Sequence, residues 1–334
     1  MSERIGIVGA GSWGTALADL LARNGHDVAL WSFEKDVAEA IEAQHENTRY
    51  LKGITLASSL HATTDLAAAV HDASVVVSVS PAQHVRTIMS DAARNMRSDA
   101  LVISASKGIE QERLSTMAQV LAQVLPHGAA TAYLSGPSFA LEVAKGMPTA
   151  VTIASHDETV ALRAQDIFQT PQFRAYTSDD VVGVELGGAL KNVIAVAAGM
   201  VNGLGLGHNT TAALITRGLA EITRLAVELG ANPLTLSGLA GMGDLILTCT
   251  GGLSRNRHVG VEIGKGRTLT DVLGEMTMVA EGVATTRAAH TLAQRAGIEM
   301  PIVAEVHAVL FEDRPAAEAV ENLMLREPKA ELWR

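Results

Sequence analysis

The feature that most constrains the fold is a glycine-rich segment near the start of the chain, Gly9-Ala10-Gly11-Ser12-Trp13-Gly14. It fits the pattern G-x-G-x-x-G, follows a predicted strand at residues 4–9 and opens a predicted helix at residues 12–23. In such a β-α-β unit the first glycine permits a tight turn, the second lets a pyrophosphate approach the backbone, and the third allows close helix–strand packing. The segment therefore predicts a dinucleotide site, and the alternative interpretation is an ordinary glycine-rich turn.

Short aliphatic runs alternate with helical patterns through the first half of the chain. The predicted strands are residues 4–9, 27–31, 74–80, 100–105, 131–134 and 149–154, and they lack polar alternation, as expected for parallel strands covered on both faces. This alternation predicts an α/β Rossmann-type doubly wound sheet with right-handed crossovers. The 334 residues suffice for two domains, and we expect a dinucleotide-binding domain over residues 1–180.

The pattern becomes helical after residue 180. One long helix is predicted over residues 181–200 and another over 210–229, with Asn209 as its N-cap. Asn232-Pro233 is typical of the cap and first turn of a third helix. Helical periodicity of the apolar residues also occurs at residues 285–295, 303–310 and 316–325. The second domain, residues 181–334, is therefore predicted to be all-α, with the long helix as the junction.

Charge and cysteine content exclude several classes of protein. There are 26 basic and 36 acidic residues, giving a net charge of −10, which argues against nucleic acid and anionic membranes as partners. The apolar stretch at residues 193–201 is shorter than the about 20 residues that cross a bilayer, so no membrane span is expected. Cys249 is the only cysteine, which indicates a reducing, cytoplasmic location and a buried, inert thiol. The 11 histidines are scattered without metal-ligand spacing, so no metal site is expected.

The end of the second predicted strand bears on the choice of coenzyme. NAD-preferring sites usually place a carboxylate there for the ribose 2′-hydroxyl, but this chain has Trp31-Ser32-Phe33. Ser32 or Lys35 can contact a 2′-phosphate and Phe33 can pack on adenine. The segment favours NADP(H) as the coenzyme. Use of NAD(H), alone or together with NADP(H), is left open by the sequence. The alternative is that these residues form a solvated helix start.

The long helix carries Gly183, Gly187, Gly188 and Lys191. Each interior glycine costs roughly 0.5–1 kcal/mol relative to Ala, so something is expected to approach the helix backbone closely. Lys191 lies one turn beyond Gly187 on the same face of an otherwise apolar segment. Two interpretations remain open, namely a lysine that snorkels to solvent and a dry acid–base group.

A series of motifs in one order resembles a known family. They are Gly-Ala-Gly-Ser-Trp-Gly-Thr-Ala at 9–16, Ser-Lys-Gly at 106–108, Ser-Gly-Pro-Ser-Phe-Ala at 135–140, Leu-Lys-Asn-Val at 190–193, Leu-Ile-Thr-Arg-Gly at 214–218, Gly-Asp-Leu at 243–245 and Ser-Arg-Asn-Arg at 254–257. The chain resembles the bacterial NAD(P)-dependent glycerol-3-phosphate dehydrogenases throughout. The resemblance implies interconversion of dihydroxyacetone phosphate and sn-glycerol 3-phosphate, a part in phospholipid biosynthesis, and a homodimer.

The resemblance also implies roles for individual residues. Lys191 matches the catalytic lysine, which accepts the proton in the oxidative direction. The substrate positions are Lys107, Gly136, Ser138, Lys191, Asp244, Ser254, Arg255 and Asn256. The coenzyme positions are Ser12, Trp13, Phe33, Lys107, Ala140, Arg255, Val279 and Glu281, beside Gly9, Gly11 and Gly14 of the fingerprint. Phe33 departs from the His or Arg common at its position.

Chemistry supports these roles without deciding them. A phosphate needs cations and donors, which Arg255 and Asn256 supply, whereas residues 254–258 can also be a solvated basic loop and Lys107 a surface lysine. Burial lowers the pKa of Lys191 and a nearby Asp244 raises it, and the sequence leaves open which effect is larger. Two competing functions remain, namely a 3-hydroxyacyl-CoA or 6-phosphogluconate type of dehydrogenase and a non-catalytic nucleotide sensor.

Overall fold

The structure is a computed structural model that describes residues 2–328 and 330–331. Within the described residues, its first part contains ten strands, seven α-helices and one short 3₁₀ helix, Ala82–His84. The strands are β1 (Arg4–Val8), β2 (Asp27–Trp31), β3 (Leu60–Thr63), β4 (Val75–Ser78), β5 (Leu101–Ser104), β6 (Ile109–Glu110), β7 (Ser115–Thr116), β8 (Thr131–Ser135), β9 (Thr149–Ala154) and β10 (Phe173–Ser178). The helices are α1 (Ser12–Arg23), α2 (Lys35–Gln44), α3 (Leu66–Val70), α4 (Val85–Ala93), α5 (Met117–Val124), α6 (Ala140–Ala144) and α7 (Glu158–Phe168).

Eight of the strands form one sheet in the order β10-β9-β8-β5-β4-β1-β2-β3. The order reverses at β1, which pairs with β2 on one side and β4 on the other, both in parallel. Helices cover the sheet, and the buried Ile5, Ile7 and Leu30 belong to its core. The predicted Rossmann-type doubly wound sheet is confirmed.

The sheet differs from an all-parallel one at β9. This strand pairs with β8 in antiparallel register, with Tyr133 opposite Ala154, and β10 runs parallel to β9. The expectation that residues 149–154 form a parallel strand is therefore wrong with respect to β8. A parallel crossover must carry the chain back along the sheet. Here the connection has only the five-residue α6 and turns at Gly146, where φ is +70°.

The second part is built from one π-helical segment, Leu239–Gly243, and nine α-helices. They are α8 (Val181–Gly203), α9 (His208–Glu228), α10 (Pro233–Leu236), α11 (Asp244–Thr250), α12 (Arg255–Gly264), α13 (Leu269–Glu275), α14 (Glu281–Ala296), α15 (Pro301–Phe311) and α16 (Ala316–Met324), counted within the described residues. The predicted all-α region is confirmed. The predicted N-cap Asn209 is wrong, because Gly207 is the N-cap of α9 and Asn209 already lies in its first turn.

The long helix α8 is the central helix of this part. It spans 23 residues with a mean hydropathy of 1.6, and is long and apolar enough to cross a bilayer, but 89% of its most apolar window is buried inside the protein. It packs against α9, α11, α12 and α14. A buried core helix accounts for this apolar sequence. A bent pair of helices, residues 233–250 with 255–264, is long and apolar enough to cross a bilayer only when the two are counted as one span.

Glycines bring α8 and α12 into backbone contact. A Cβ added at Gly199 would lie 2.1 Å from the Arg257 carbonyl oxygen, and one at Gly260 would lie 1.9 Å from that of Val196. No side chain fits between the two helices at this crossing. The contact fixes the start of α12, and therefore Arg255, relative to α8.

Candidate active site

The glycine-rich turn after β1 has the geometry of a dinucleotide cradle. Gly9 has a φ of +126°, which residues with side chains rarely adopt. A Cβ at Gly14 would lie 1.8 Å from the Gly9 carbonyl oxygen, whereas one at Gly11 would have no atom within 4 Å. Gly11 is also the N-cap of α1 and supplies no side-chain cap. The turn therefore leaves open space and unpartnered N–H groups in front of α1, where a pyrophosphate fits.

The residues after β2 expose an aromatic ring and no free acid. Phe33 is 82% exposed. Ser32 is buried and its hydroxyl donates to the Glu34 carbonyl oxygen at 2.9 Å. The Glu34 carboxylate accepts a 2.6 Å hydrogen bond from the Tyr50 hydroxyl, and Lys35 forms an exposed ion pair with Glu39. No carboxylate occupies the last position of β2, as the sequence indicates.

A buried carboxylate joins two lysines where the sheet meets the helical part. Asp244, at the start of α11, is 1% exposed. Its Oδ1 accepts from the Lys191 ammonium at 2.5 Å, and its Oδ2 accepts from the Lys107 ammonium at 2.8 Å. Lys191 also donates to Thr248 Oγ1 at 2.8 Å, and Lys107 donates to the Gly136 carbonyl oxygen at 3.0 Å. Lys191 does not snorkel, since it is 7% exposed.

Burial and charge have opposite effects on this cluster. Burial lowers the pKa of Lys191 to about 8, with Lys107 acting in the same direction and Asp244 opposing. Burial is therefore the larger effect. Burial also raises the pKa of Asp244, but the two ammonium groups outweigh it and hold that pKa below its ordinary value. Cys249 is 1% exposed, so the predicted burial of its thiol is confirmed, and this burial raises the thiol pKa to about 12.

The start of α12 is tied to α8 and α14 through amides. Asn256 donates from Nδ2 to Asn192 Oδ1 at 2.9 Å and accepts at Oδ1 from the Gly282 N–H at 2.8 Å. Ser254 is the N-cap, and its hydroxyl oxygen accepts from the Arg257 N–H. Arg255 is exposed and has no side-chain hydrogen bond within the described residues. Partial desolvation lowers its pKa and Glu281 raises it. An anion at this helix start would meet a free guanidinium.

Several buried polar atoms around the same cleft have no hydrogen-bond partner among residues 2–328 and 330–331. Glu281 Oε1 accepts from the Ala82 N–H at 3.1 Å, but in this described part of the chain Glu281 Oε2, Thr285 Oγ1 and Trp13 Nε1 are buried without a hydrogen bond. Burial raises the pKa of Glu281 to about 7. Buried polar atoms are otherwise nearly always paired, so these atoms fit a site that receives a polar molecule. Together with the glycine cradle, they fit a dinucleotide.

Ser12 and Ser138 complete the rim of the cleft. The Ser12 hydroxyl donates to Met278 Sδ at 3.2 Å, which brings the loop before α14 against the cradle, and the neighbouring Val279 is 52% exposed. Across the cleft, Ser138 donates to the Gly136 carbonyl oxygen at 3.0 Å. Gly136 has a φ of +142°, and a Cβ there would lie 2.9 Å from Val151 Cα. This turn needs glycine.

The structure joins five of the eight predicted substrate residues by direct hydrogen bonds. Hydrogen bonds link Lys107, Gly136, Ser138, Lys191 and Asp244 into one network. The side chains of Phe33 and Ala140 are apolar and cannot form hydrogen bonds with that network.

Sequence reasoning missed two members of the site, Thr248 and Asn192. The signals were present, because Thr248 lies four residues after Asp244 on the same helix face, and Asn192 lies inside the motif Leu-Lys-Asn-Val at 190–193.

Comparisons with known proteins agree along the whole chain. Two family models match, "NAD-dependent glycerol-3-phosphate dehydrogenase N-terminus" over residues 4–161 and "NAD-dependent glycerol-3-phosphate dehydrogenase C-terminus" over residues 180–321. A glycerol-3-phosphate dehydrogenase [NAD(P)+] of Geobacter sulfurreducens is 58% identical, with 100% of each chain covered. One of Myxococcus xanthus is 56% identical, with 98% of each covered. The crystal structure of glycerol-3-phosphate dehydrogenase from Coxiella burnetii has a TM-score of 0.94 at 39% identity, covering 97% of this chain and 99% of that one.

Proposed function

Because the chain belongs to the NAD-dependent glycerol-3-phosphate dehydrogenase family, we propose that Lys191 and Asp244 form the centre of its reaction. The protein is an NAD(P)-dependent oxidoreductase that interconverts dihydroxyacetone phosphate and sn-glycerol 3-phosphate, a precursor of glycerophospholipids. The observation that carries the proposal is the buried Asp244 carboxylate, which holds the ammonium groups of Lys107 and Lys191 beside each other.

Lys191 is the proton donor in reduction and the acceptor in oxidation. When it is bound, the nicotinamide supplies or takes up the hydride. Lys191 then gives a proton to the substrate oxygen, or removes the hydroxyl proton in the reverse direction. A pKa of about 8 keeps both protonation states accessible near neutral pH, as an acid–base group requires.

Asp244 and Thr248 fix the direction in which Lys191 donates. An ammonium group has three N–H bonds, and two of them point to Asp244 Oδ1 and Thr248 Oγ1. The Thr248 hydroxyl donates its own proton to the Asp244 carbonyl oxygen at 2.6 Å, so toward Lys191 it acts as an acceptor. One N–H of Lys191 is left for the substrate oxygen.

The substrate phosphate binds at the start of α12, where Arg255 supplies a forked cation and Asn256 an amide. Lys107, Gly136, Ser138 and Ser254 complete the substrate site.

The coenzyme binds along the cradle and the rim. Its contacts are Gly9, Gly11, Ser12, Trp13, Gly14, Phe33, Lys107, Ala140, Arg255, Val279 and Glu281. NADP(H) and NAD(H) both fit an end of β2 that lacks a carboxylate.

The proposed division into two domains is that of the family. Residues 1–180 form the dinucleotide-binding domain and residues 181–334 the helical substrate domain. The protein is a cytoplasmic homodimer; the family resemblance supports the dimer, and the single cysteine, which is free, supports the location.

Initial rates with dihydroxyacetone phosphate and each reduced coenzyme test the proposal. We expect turnover with NADPH, with NADH, or with both. No turnover with either, together with activity on 3-hydroxyacyl-CoA or 6-phosphogluconate, would favour another dehydrogenase. Coenzyme binding with no oxidation by any substrate would favour a sensor.

A further inference from the structure

The backbone that follows Lys107 is held by a glutamine from a neighbouring segment. Gln83 lies in the short 3₁₀ helix Ala82–His84, between β4 and α4. Its Nε2 donates to the Ile109 carbonyl oxygen at 2.8 Å, and its Oε1 accepts from the Gln111 N–H at 3.0 Å. The side-chain amide thus uses both a donor and its acceptor. One side chain therefore fixes the backbone at two points, two and four residues after Lys107.

Gly108, which directly follows Lys107, packs against the same 3₁₀ helix. It has a φ of +158°, and a Cβ there would lie 2.6 Å from Ala82 Cβ and 3.4 Å from Glu281 Oε2. Only a residue without a side chain allows this close approach. The backbone next to Lys107 is therefore confined between the 3₁₀ helix and the start of α14.

The two residues after Gly108 attach this segment to further elements. Ile109 is fully buried in the core of the helical part, although it precedes that part in the chain. Both Glu110 carboxylate oxygens accept from Arg86 of α4, at 2.5 and 2.8 Å, and 8% and 18% of these two side chains are exposed. A two-pronged ion pair of this kind fixes orientation as well as distance.

Hydrogen bonds close a ring through the first turn of α14. The Ala82 N–H donates to Glu281 Oε1 at 3.1 Å, and Gln111 Nε2 donates to the Ala284 carbonyl oxygen at 2.9 Å. The 3₁₀ helix, the backbone after Lys107 and α14 are thus bonded to one another in turn. The ring crosses from the sheet to the helical part, and the proposed coenzyme contact Glu281 belongs to it.

We infer that Gln83 is a positioning residue, which holds Lys107 where its ammonium reaches Asp244. The inference rests on the proposed substrate role of Lys107 and acid–base role of Lys191. Gln83 acts through the backbone that follows Lys107. The Lys107 ammonium donates to Asp244 Oδ2 at 2.8 Å and to the Gly136 carbonyl oxygen at 3.0 Å, and a displaced backbone lengthens both bonds.

The position of Lys107 also affects Lys191 through charge. Lys107 lowers the pKa of Lys191, in the same direction as burial, whereas Asp244 raises it. When Lys107 moves away, Asp244 is neutralised by one ammonium group instead of two, and the pKa of Lys191 rises above about 8. Loss of Gln83 should therefore shift the pH profile of the reaction, which a general loss of stability would not do.

The variant Gln83→Met tests the inference, because methionine has a similar length but no amide. We expect KM for dihydroxyacetone phosphate to rise about 10-fold. Oxidation of glycerol 3-phosphate needs neutral Lys191, so its rate should reach half of the maximum at a higher pH than in the wild type. The Ala82 N–H stays available to Glu281, so the dissociation constant of NADPH, measured by its fluorescence, should not change.

The matched control is Gln165→Met. Gln165 Nε2 also donates to a backbone carbonyl oxygen, that of Ala175 at 2.7 Å, but this residue lies in the edge strand β10. The control should give wild-type KM values and a wild-type pH profile.

A double-mutant cycle separates the positioning of Lys107 from a general structural effect. In a Lys107→Met background, Gln83→Met should cause no further rise in KM, because the lysine that it positions is gone. The same rise in KM in both backgrounds would overturn the inference, and so would a Gln83→Met enzyme with wild-type KM and pH profile. In either case a raised KM in Lys107→Met and an inactive Lys191→Met would leave the proposed function intact.

A second variant and a structural measurement cover a Gln83→Met chain that does not fold. Gln111→Met breaks the bond to Ala284 and should raise KM with the same dependence on Lys107. A crystal structure of the folded variant without coenzyme should show Lys107 Nζ beyond hydrogen-bond distance of Asp244 Oδ2. A Lys107 ammonium in its wild-type place would contradict the inference.

Discussion

Thr248 accepts a 2.8 Å hydrogen bond from the Lys191 ammonium, and it lies four residues, about one helical turn, after Asp244, which accepts from the same ammonium. The two acceptors come from one short helix, α11, so the direction of Lys191 is set by a single rigid element. The ammonium group of Lys191, the proposed acid–base residue, is thus held by α11 as well as carried by α8.

The variant Thr248→Val should separate positioning of Lys191 from its chemistry. Valine has nearly the same shape but no acceptor, so we expect kcat to fall about 10-fold while coenzyme binding stays unchanged. The matched control is Thr250→Val on the same helix, because the Thr250 hydroxyl only donates to the Ile246 carbonyl oxygen and is exposed. Equal kcat values for the two variants would refute the positioning role.

The variant Arg255→Ala should weaken substrate binding. Loss of charge-assisted hydrogen bonds to phosphate costs about 1.5–3 kcal/mol, so KM for dihydroxyacetone phosphate should rise roughly 10- to 100-fold. Arg267→Ala is the control, since Arg267 pairs with Glu262 and Glu275 outside the cleft. Steady-state kinetics on both variants decide the matter, and an unchanged KM in Arg255→Ala would show that the phosphate binds elsewhere.

The crossing of α8 and α12 predicts a large effect of one methyl group. A Cβ at Gly260 would lie 1.9 Å from a backbone oxygen, so Gly260→Ala should destabilise the protein by about 1–3 kcal/mol and displace Arg255. Gly274→Ala in α13 is the control, because a Cβ there meets no atom within 4 Å. Thermal unfolding measures both changes. Equal melting temperatures would mean that the helices can separate without cost.

Glu221 predicts a pH dependence of stability. Burial raises its pKa in the folded protein to about 7, although it accepts from the Ile302 and Val303 N–H groups. Because the pKa of Glu221 is raised in the folded protein, the stabilisation from its protonated form is complete below the unfolded-state pKa of about 4.3. This stabilisation is lost as pH rises through 7. The melting temperature should therefore fall less between pH 5 and pH 8 in Glu221→Gln than in the wild type. Parallel curves would contradict this assignment.

Local sequence signals were sufficient where one short segment determines the structure. The cradle at Gly9, Gly11 and Gly14 could be predicted because its conformation depends on residues within one turn. The edge strands β3 and β10 were missed, since each has a free edge and carries polar residues that weaken the pattern of a buried strand. The reversed direction of β9 depends on pairing with β8, which no local pattern encodes.

The same limit applies to the active site. The sequence placed Lys191 on an apolar helix but left the balance between burial and Asp244 open. That balance depends on contacts between residues 107, 191 and 244, which are distant in the chain. The glycines of α8 predicted a close approach, and the structure identifies the atoms, such as Ala240 carbonyl oxygen 2.7 Å from a Cβ at Gly187.

The acid–base role of Lys191 is tested most directly by the rate of dihydroxyacetone phosphate reduction in Lys191→Met, an apolar side chain of similar length. Circular dichroism and coenzyme binding would first establish that the variant is folded. The account predicts a loss of kcat of about 10²-fold or more with coenzyme affinity retained. A folded variant that reduces the ketone at the wild-type rate would contradict it.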